Sequence, residues 1–480
     1  MGRETGPHRI RSTLHAASTG TACAAGSNPT DPQAPTGAGI RETQGVIMRT
    51  LRSHFTRTRT IGVLSAASAL TLGLSACAGS AGGGGGGGGA GSGDGYEVGA
   101  SQEDIDAAIS ELDPVTITYQ PSAASEASIQ SPSGTELAKA IEEKSGGKIT
   151  VDVVWGQAIA GYGEVHDALA DGRVDLAYTL PVYQPTEFPA VNALGDMLAG
   201  ISPSPFTGEM IANAVAADVS WGSPEIIEEY TSKGITPLVP VVASGGYYSV
   251  CSDPGMEKDD WQGRQVRIAS KTQNDLMASL GASPVSIEYV ETFEALQRGT
   301  VDCTLAQLVP SAEGGIFEVA PHVGYMTETS YTRSPGAILA GSKFEQLPLA
   351  YQQILFDVYA DYYQGQMMTT IGGNAEGIKQ AKAAGGEIVE FPADLQTEIG
   401  EFDEAKKEEI QSSGILGDDI TSRVEESEQQ WAEKIEELGF TDGGSTADFD
   451  EWYDTETDYR EVGQAVYEDA LAEHRPGSEG

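Results

Sequence analysis

Positive charge, histidine and cysteine are all scarce in this chain, and each scarcity removes a class of chemistry. Lys and Arg number 28 against 71 Asp and Glu. Eight of the bases and three of the acids precede Cys77, so the part from Cys77 onward holds 20 against 68, a formal net charge of −48. Such a surface repels nucleic acid and anionic lipid and keeps a protein soluble at high salt. Beyond Cys77 only His166, His322 and His474 remain, no two of them spaced as metal ligands on one element. His-Glu-x-x-His, Cys-x-x-Cys, Gly-x-x-x-x-Gly-Lys-Ser/Thr and Gly-x-Ser-x-Gly are missing, and with them the usual signatures of zinc, redox, phosphate-loop and serine-hydrolase chemistry. The acidic run around Asp448 and Asp450 lacks the glycine and terminal glutamate of a calcium loop and reads as a solvated face. A carboxylate pair stays open as a catalytic device, because a chain this acidic always offers one.

What is present begins with an export signal. From Met48 the chain passes through Arg49, Arg52, Arg57 and Arg59 into an apolar stretch from Ile61 that ends at Leu74-Ser75-Ala76-Cys77. That is the layout of a secretory signal, and its apolar part is shorter than the about 20 residues of a membrane span. The ending resembles a bacterial lipobox, which implies that Cys77 is diacylated at sulfur and anchors the mature protein to the outer face of the cell membrane. Residues 1–47 would put the signal in the wrong place and read as a mis-assigned leader, with Met48 the true start and 48–76 the signal peptide. Residues 77–112 read as a glycine-rich tether, since "AGSAGGGGGGGGAGSGDG" has no side chains with which to build a core. Within it, "SQEDIDAAISELD" carries the marks of a capped helix starting at Ser101, with Asp104 three residues on. Cys251 and Cys303 are left as a pair; outside the cytoplasm such a pair points to a disulfide, with two free thiols as the alternative.

From Val115 strand-like and helix-like segments alternate. "VTITYQ" is short and β-branched, "GTELAKAIEEKSGG" has apolar residues at helical spacing and a Gly-Gly stop, and "KITVDVVWG" alternates as a strand. Crossover units of this kind build a mainly parallel sheet. One step is written twice. "DALADGRVDLAYTL" (Asp167 to Leu180) and "EALQRGTVDCTLAQL" (Glu294 to Leu308) both read Ala-Leu-x-x-Gly-x-Val-Asp. Gly172 and Gly299 sit where a helix end calls for a left-handed residue, and the valine then enters the sheet. Two similar α/β lobes follow, and in such sheets the C-terminal strand ends open on the ligand crevice.

Taken in order, "LAKAIEEKSGGKITVDVVWG", "EVHDALADGRVDLAYTLPVY", "EFP", "WQGRQVRIAS", "LGASPVSIEYVETFEALQRGTVD" and the later Leu347-Pro348 resemble the solute-binding proteins of tripartite ATP-independent periplasmic (TRAP) transporters, the C4-dicarboxylate-binding type. The resemblance implies a two-lobe periplasmic-binding-protein-like fold with mainly parallel sheets, crossing segments, a long helix and a ligand cleft between the lobes. It implies capture of a small carboxylate and its delivery to an integral membrane permease, with no cofactor, no metal and no bond made or broken. Its usual anchor is an arginine in the short strand after a Trp-x-Gly turn, here Arg267. The residues alone single out the same side chain, since of eight arginines beyond Cys77 only Arg267 lies in a strand flanked by apolar residues, Val266 and Ile268. Tyr289 matches an aromatic position that packs on the ligand. Tyr178 and Tyr183 lie just past the first Val-Asp step, and Tyr247 occupies a basic or aromatic position in the strand entering the second lobe. In the family an asparagine usually follows the second Val-Asp; here Ala306 stands in its place, leaving Gln307 or Thr304 to supply a polar contact and pointing to a monocarboxylate or an apolar tail.

The expected organisation is lobe 1 over 113–244 and 333–374, lobe 2 over 245–332 and 375–440, and an acidic extension over 441–480 in which Tyr459, Val462, Val466 and Tyr467 suggest a docked amphipathic helix. The rival readings are a binding lipoprotein of an ATP-driven sugar or peptide importer, a secreted, carboxylate-using hydrolase, and a structural acidic surface lipoprotein.

Overall fold

A computed structural model describes residues 95–478; the leader, the signal, Cys77 and the glycine tract lie outside the described residues. Its strands are β1 (Val115–Gln120), β2 (Ile149–Val153), β3 (Leu176–Thr179), β4 (Thr236–Ala243), β5 (Tyr247–Cys251), β6 (Gln265–Ile268), β7 (Ser283–Ser286), β8 (Cys303–Gln307), β9 (His322–Tyr325), β10 (Pro335–Ala340) and β11 (Ile388–Glu390). They form two sheets, ordered β2-β1-β3-β10-β4 and β7-β6-β8-β5-β9-β11. The first three strands of each are parallel, and the fourth runs against them. The parallel part of each sheet is the crossover unit expected from the alternation. The opposed strands β5 and β10 are those that arrive from the other lobe, through 244–246 and 326–334.

The repeated octapeptide occupies the same place in both lobes, ending at the residue before β3 and before β8. Both of its glycines are left-handed, at φ 78° for Gly172 and 66° for Gly299. The shared aspartate has a structural cause. Asp175 Oδ2 accepts from the Thr118 backbone N–H at 2.9 Å, and Asp302 Oδ2 accepts from that of Gln265 at 2.8 Å. Each carboxylate thereby satisfies a backbone donor of the neighbouring parallel strand, half-buried at Thr118 and exposed at Gln265.

The first lobe has one large core; the second sheet has one on each face. In β5, Tyr248 and Val250 point to one of these and Cys251 to the other, the period-two alternation of a strand. The helix Tyr359–Ala383 packs against Pro132–Lys144 in the first lobe and Leu308–Glu313 in the second, and so spans both.

Two segments differ from a simple tether and extension. The helix Gln102–Ile109 is closed by a capping box of Ser101 and Asp104, and its Ile105 and Ile109 are buried in the first core. An i, i+4 apolar pair on an otherwise polar helix is enough to dock it, so residues 102–109 belong to the folded body. At the other end, Tyr459, Val462, Val466 and Tyr467 are buried in the same core.

Candidate ligand site

A cavity of about 580 Å³ opens between the lobes, beside the C-terminal ends of β3, β6 and β8. Six of the seven residues singled out in the sequence line it: Tyr178, Tyr183, Tyr247, Arg267, Tyr289 and Gln307. Thr304 does not. It lies in the middle of the ladder, opposite Val250 and beside Arg267, fully buried, with its hydroxyl donating to the Leu305 carbonyl. Strand pairing therefore consumes the position, whereas Ala306 and Gln307, two and three residues on, reach the cavity.

Arg267 is 4 % exposed. Val266 and Ile268 go into the core on the other face of the sheet. Its Nε donates to the Ile287 carbonyl at 2.9 Å, and its guanidinium carbon lies 5.6 Å from the centre of the Tyr289 ring. Among the described residues it has no carboxylate partner and its two Nη groups make no hydrogen bond; the two other deeply buried arginines, Arg333 and Arg475, are paired with Glu209 and Asp357. A buried guanidinium without a counter-ion is costly unless an anion joins it. The register of the two sheets puts Gln120 where Arg267 stands in the second lobe. That amide is already used by the backbone of Ile159 and Ala160, which leaves the first lobe without an equivalent anchor.

Tyr162, Tyr178 and Tyr183 line the cavity from the first lobe. Tyr183 stacks on Tyr162, rings 5.9 Å apart and 10° from parallel, and Tyr178 meets Tyr162 edge-on. Burial pushes the Tyr178 phenol up to about 12, and burial likewise raises Tyr183, Tyr162 and Tyr289, so all four are neutral donors near pH 7. The sequence reading missed Tyr162, Gln130, Gln157 and Glu288. For Tyr162 the signal was an aromatic between two glycines ahead of a short helix. Gln157, at φ 52°, is the non-glycine residue with positive φ among the described residues, and it lines the cavity.

Cys251 and Cys303 face each other across β5 and β8 and are joined as a disulfide. Among the described residues no group of three His, Cys, Asp or Glu is arranged to hold a metal ion, and no helix is long and apolar enough to cross a membrane.

Two α/β lobes joined by crossing segments and a shared helix, with one buried guanidinium lining the cleft, make a two-lobe binding-protein architecture. The chain belongs to the family described as bacterial extracellular solute-binding protein, family 7 (DctP), whose sequence profile matches residues 122–413. Similar solved structures include the sugar acid binding protein DctPAm of Advenella mimigardefordensis in complex with galactonate, 20 % identical with a TM-score of 0.55, covering 67 % of this chain and 100 % of its own. Another is a marine metagenome TRAP solute-binding protein specific for aromatic acid ligands, 16 % identical with a TM-score of 0.55, covering 66 % and 99 %. Among curated proteins, the ectoine-binding periplasmic protein TeaA of Halomonas elongata is 25 % identical over 164 residues, 33 % of this chain and 46 % of that protein. An uncharacterized protein of Sinorhizobium fredii is 21 % identical over 266 residues, 55 % and 43 %. The chain thus spans under half the length of the curated relatives it matches. The family profile and the fold agree with the TRAP-type resemblance and favour it over the ATP-driven importer.

Proposed function

We propose that this chain is a lipid-anchored extracytoplasmic receptor that captures a small carboxylate on Arg267 and delivers it to a TRAP-type membrane permease. The observation that carries the reading is the buried guanidinium of Arg267, held by Ile287 and Tyr289, with both Nη groups unbonded beside the cavity. A planar guanidinium holds a carboxylate through two parallel bonds, each contributing about 1.5–3 kcal/mol. Tyr178, Tyr183, Tyr247 and Gln307 surround the rest of the ligand, and closure of the lobes follows from contacts made on both sides of the cleft. Cys77 supplies the acyl anchor.

Calorimetric titration with organic acids tests the site. Binding in the wild type that is weakened at least about tenfold in Arg267→Lys supports the anchor, because an ammonium cannot make the bidentate grip; equal binding in both removes Arg267 from the site. Turnover of a bound acid would revive the hydrolase reading. Detergent phase partitioning tests the anchor: the mature protein moves to the detergent phase and Cys77→Ala to the aqueous phase.

A further inference from the structure

We infer that the ligand is a monocarboxylate with a flat, apolar body, such as a single-ring aryl acid, and neither a dicarboxylate nor a polyhydroxy acid. The inference rests on the reading of Arg267 as the carboxylate anchor and goes beyond it by asking what the remainder of the cavity can satisfy.

Among the described residues Arg267 is the cavity's one cationic side chain, and Glu288 stands exposed on the same lining. A second carboxylate would enter the cleft of a strongly acidic protein with no cation to meet it. The neutral polar groups are largely engaged with each other. Tyr178 and Ser244 share a hydrogen bond of 2.8 Å, and Tyr247 and Ser334 one of 2.7 Å. The Gln130 amide donates to Glu313 at 2.7 Å, and that of Gln157 to the Ser122 carbonyl at 3.3 Å. Among the described residues the Gln307 amide and the hydroxyls of Tyr183 and Tyr289 are left without protein partners. A polyhydroxy acid would have to break these pairs or bury hydroxyls unmatched, and a site discriminates strongly against a ligand whose polar groups it leaves unpaired.

The apolar surface points the other way. In the described residues three large apolar side chains are exposed: Val98, Tyr183 at 42 % and Val290 at 88 %. Two of the three line this cavity, Tyr183 from the first lobe and Val290 from the second. Exposed apolar groups gathered at one cleft mark a binding surface. The Tyr183–Tyr162 stack offers a flat face, and Val290 a cap from the opposite lip, so a planar apolar body running from Arg267 toward the mouth covers both Tyr183 and Val290.

The test is titration of the full-length chain with phenylacetate, succinate and gluconate in a carboxylate-free buffer, alongside Val290→Asp and Arg267→Lys. Phenylacetate is expected to bind at least about tenfold more tightly than the other two, and Val290→Asp to weaken it about tenfold, the scale of one buried Val side chain. Val290 is solvent-exposed, so this variant folds as the wild type does. Tighter binding of gluconate or succinate, lost in Arg267→Lys, overturns the inference and leaves the anchor standing. Binding of none of the three, or phenylacetate binding that Arg267→Lys leaves intact, overturns both. Phenylacetate binding that is unchanged in Val290→Asp also overturns the inference, because the apolar lip then plays no part.

Discussion

Arg333 Nη1 lies 2.6 Å from Glu209 Oε2, in an ion pair whose side chains are 2 % and 1 % exposed. The pair stands where the chain crosses between the lobes. Glu209 Oε1 accepts from the Gly246 N–H at 2.8 Å and from the Asn374 amide at 3.2 Å, and Arg333 also donates to the Ser244 carbonyl. One carboxylate thus ties both crossing segments to the shared helix.

Removing one charge of such a pair leaves the other buried and uncompensated. Glu209→Gln is therefore expected to lower the free energy of unfolding by about 3–5 kcal/mol, and Glu209→Met with Arg333→Met to recover most of that loss. Urea unfolding of the three proteins checks it. A single variant within about 0.5 kcal/mol of the wild type would show that the crossing segments are held by something else.

Tyr289 is expected to act on a bound acid through Arg267. Its ring lies under the guanidinium and its hydroxyl is buried without a partner, so the face of the ring is what it contributes. Tyr289→Leu keeps an apolar floor but removes the cation–π attraction, about 0.5–2 kcal/mol, and should raise Kd for any bound acid about threefold to thirtyfold. Tyr289→Phe keeps the ring and should bind as the wild type does. If Phe and Leu behave alike, the ring face is irrelevant.

The parts of this architecture that were legible in the sequence are those where a local requirement and a global one coincide. Gly172 and Gly299 announce helix ends because left-handed backbone is costly elsewhere, and Asp175 and Asp302 recur because each caps a neighbouring strand's N–H. Arg267 stood out as a charge inside an apolar strand. The direction of β5 and β10 was not legible, because composition does not record from which lobe a strand arrives. β11 has three residues and β9 four, too few for periodicity to show. Thr304 was misplaced by two pairs of the ladder: the strand reaches the cavity only from Ala306 onward. Tyr162 comes from a loop, and its place on Tyr183 exists only once the first lobe has folded.

Buried acids give stability a pH dependence whose sign is fixed by three groups. Burial pushes Asp403 up to about 8 and Asp196 up to about 6, and pushes His166 down to about 4. Asp403, on Ala393–Ser413, faces Thr329, Lys407, Glu404 and Asp196, and its Oδ1 has no hydrogen-bond partner. Asp196 accepts from Thr272 across the lobes, with Lys406, Glu409 and Lys271 near it. Raised acids favour the folded state below their unfolded values, about 3.9, and that stability is lost as pH rises through the folded values. His166 works oppositely, gaining between about 4 and 6.5, where it offsets Asp196. Above about 6.5 only Asp403 remains of the three, so stability is expected to fall from there to about 8 and then level off. Urea unfolding at several pH values should show this slope, and Asp403→Asn should remove it. A slope that survives the substitution would assign it to another group.

The disulfide pins the far end of the strand pair that carries three cavity residues, Tyr247, Ala306 and Gln307. Cys251 pairs with Cys303 at one end of the β5–β8 ladder, and Tyr247 with Gln307 at the other. The bond closes a loop with a sequence separation of 52, for which the chain-entropy account gives about 4 kcal/mol. Its effect on the ligand should be small, because five consecutive residue pairs and buried side chains on both faces already fix the register, and a slip of one residue would turn every side chain over. Cys251→Ala with Cys303→Ala is therefore expected to lose about 4 kcal/mol of unfolding free energy. Its affinity for a bound acid should change by less than about threefold, under 1 kcal/mol. Paired urea unfolding and calorimetry separate the two effects. An affinity that falls in step with stability would mean that the covalent bond, and not the ladder, holds Tyr247 and Gln307 at the cavity.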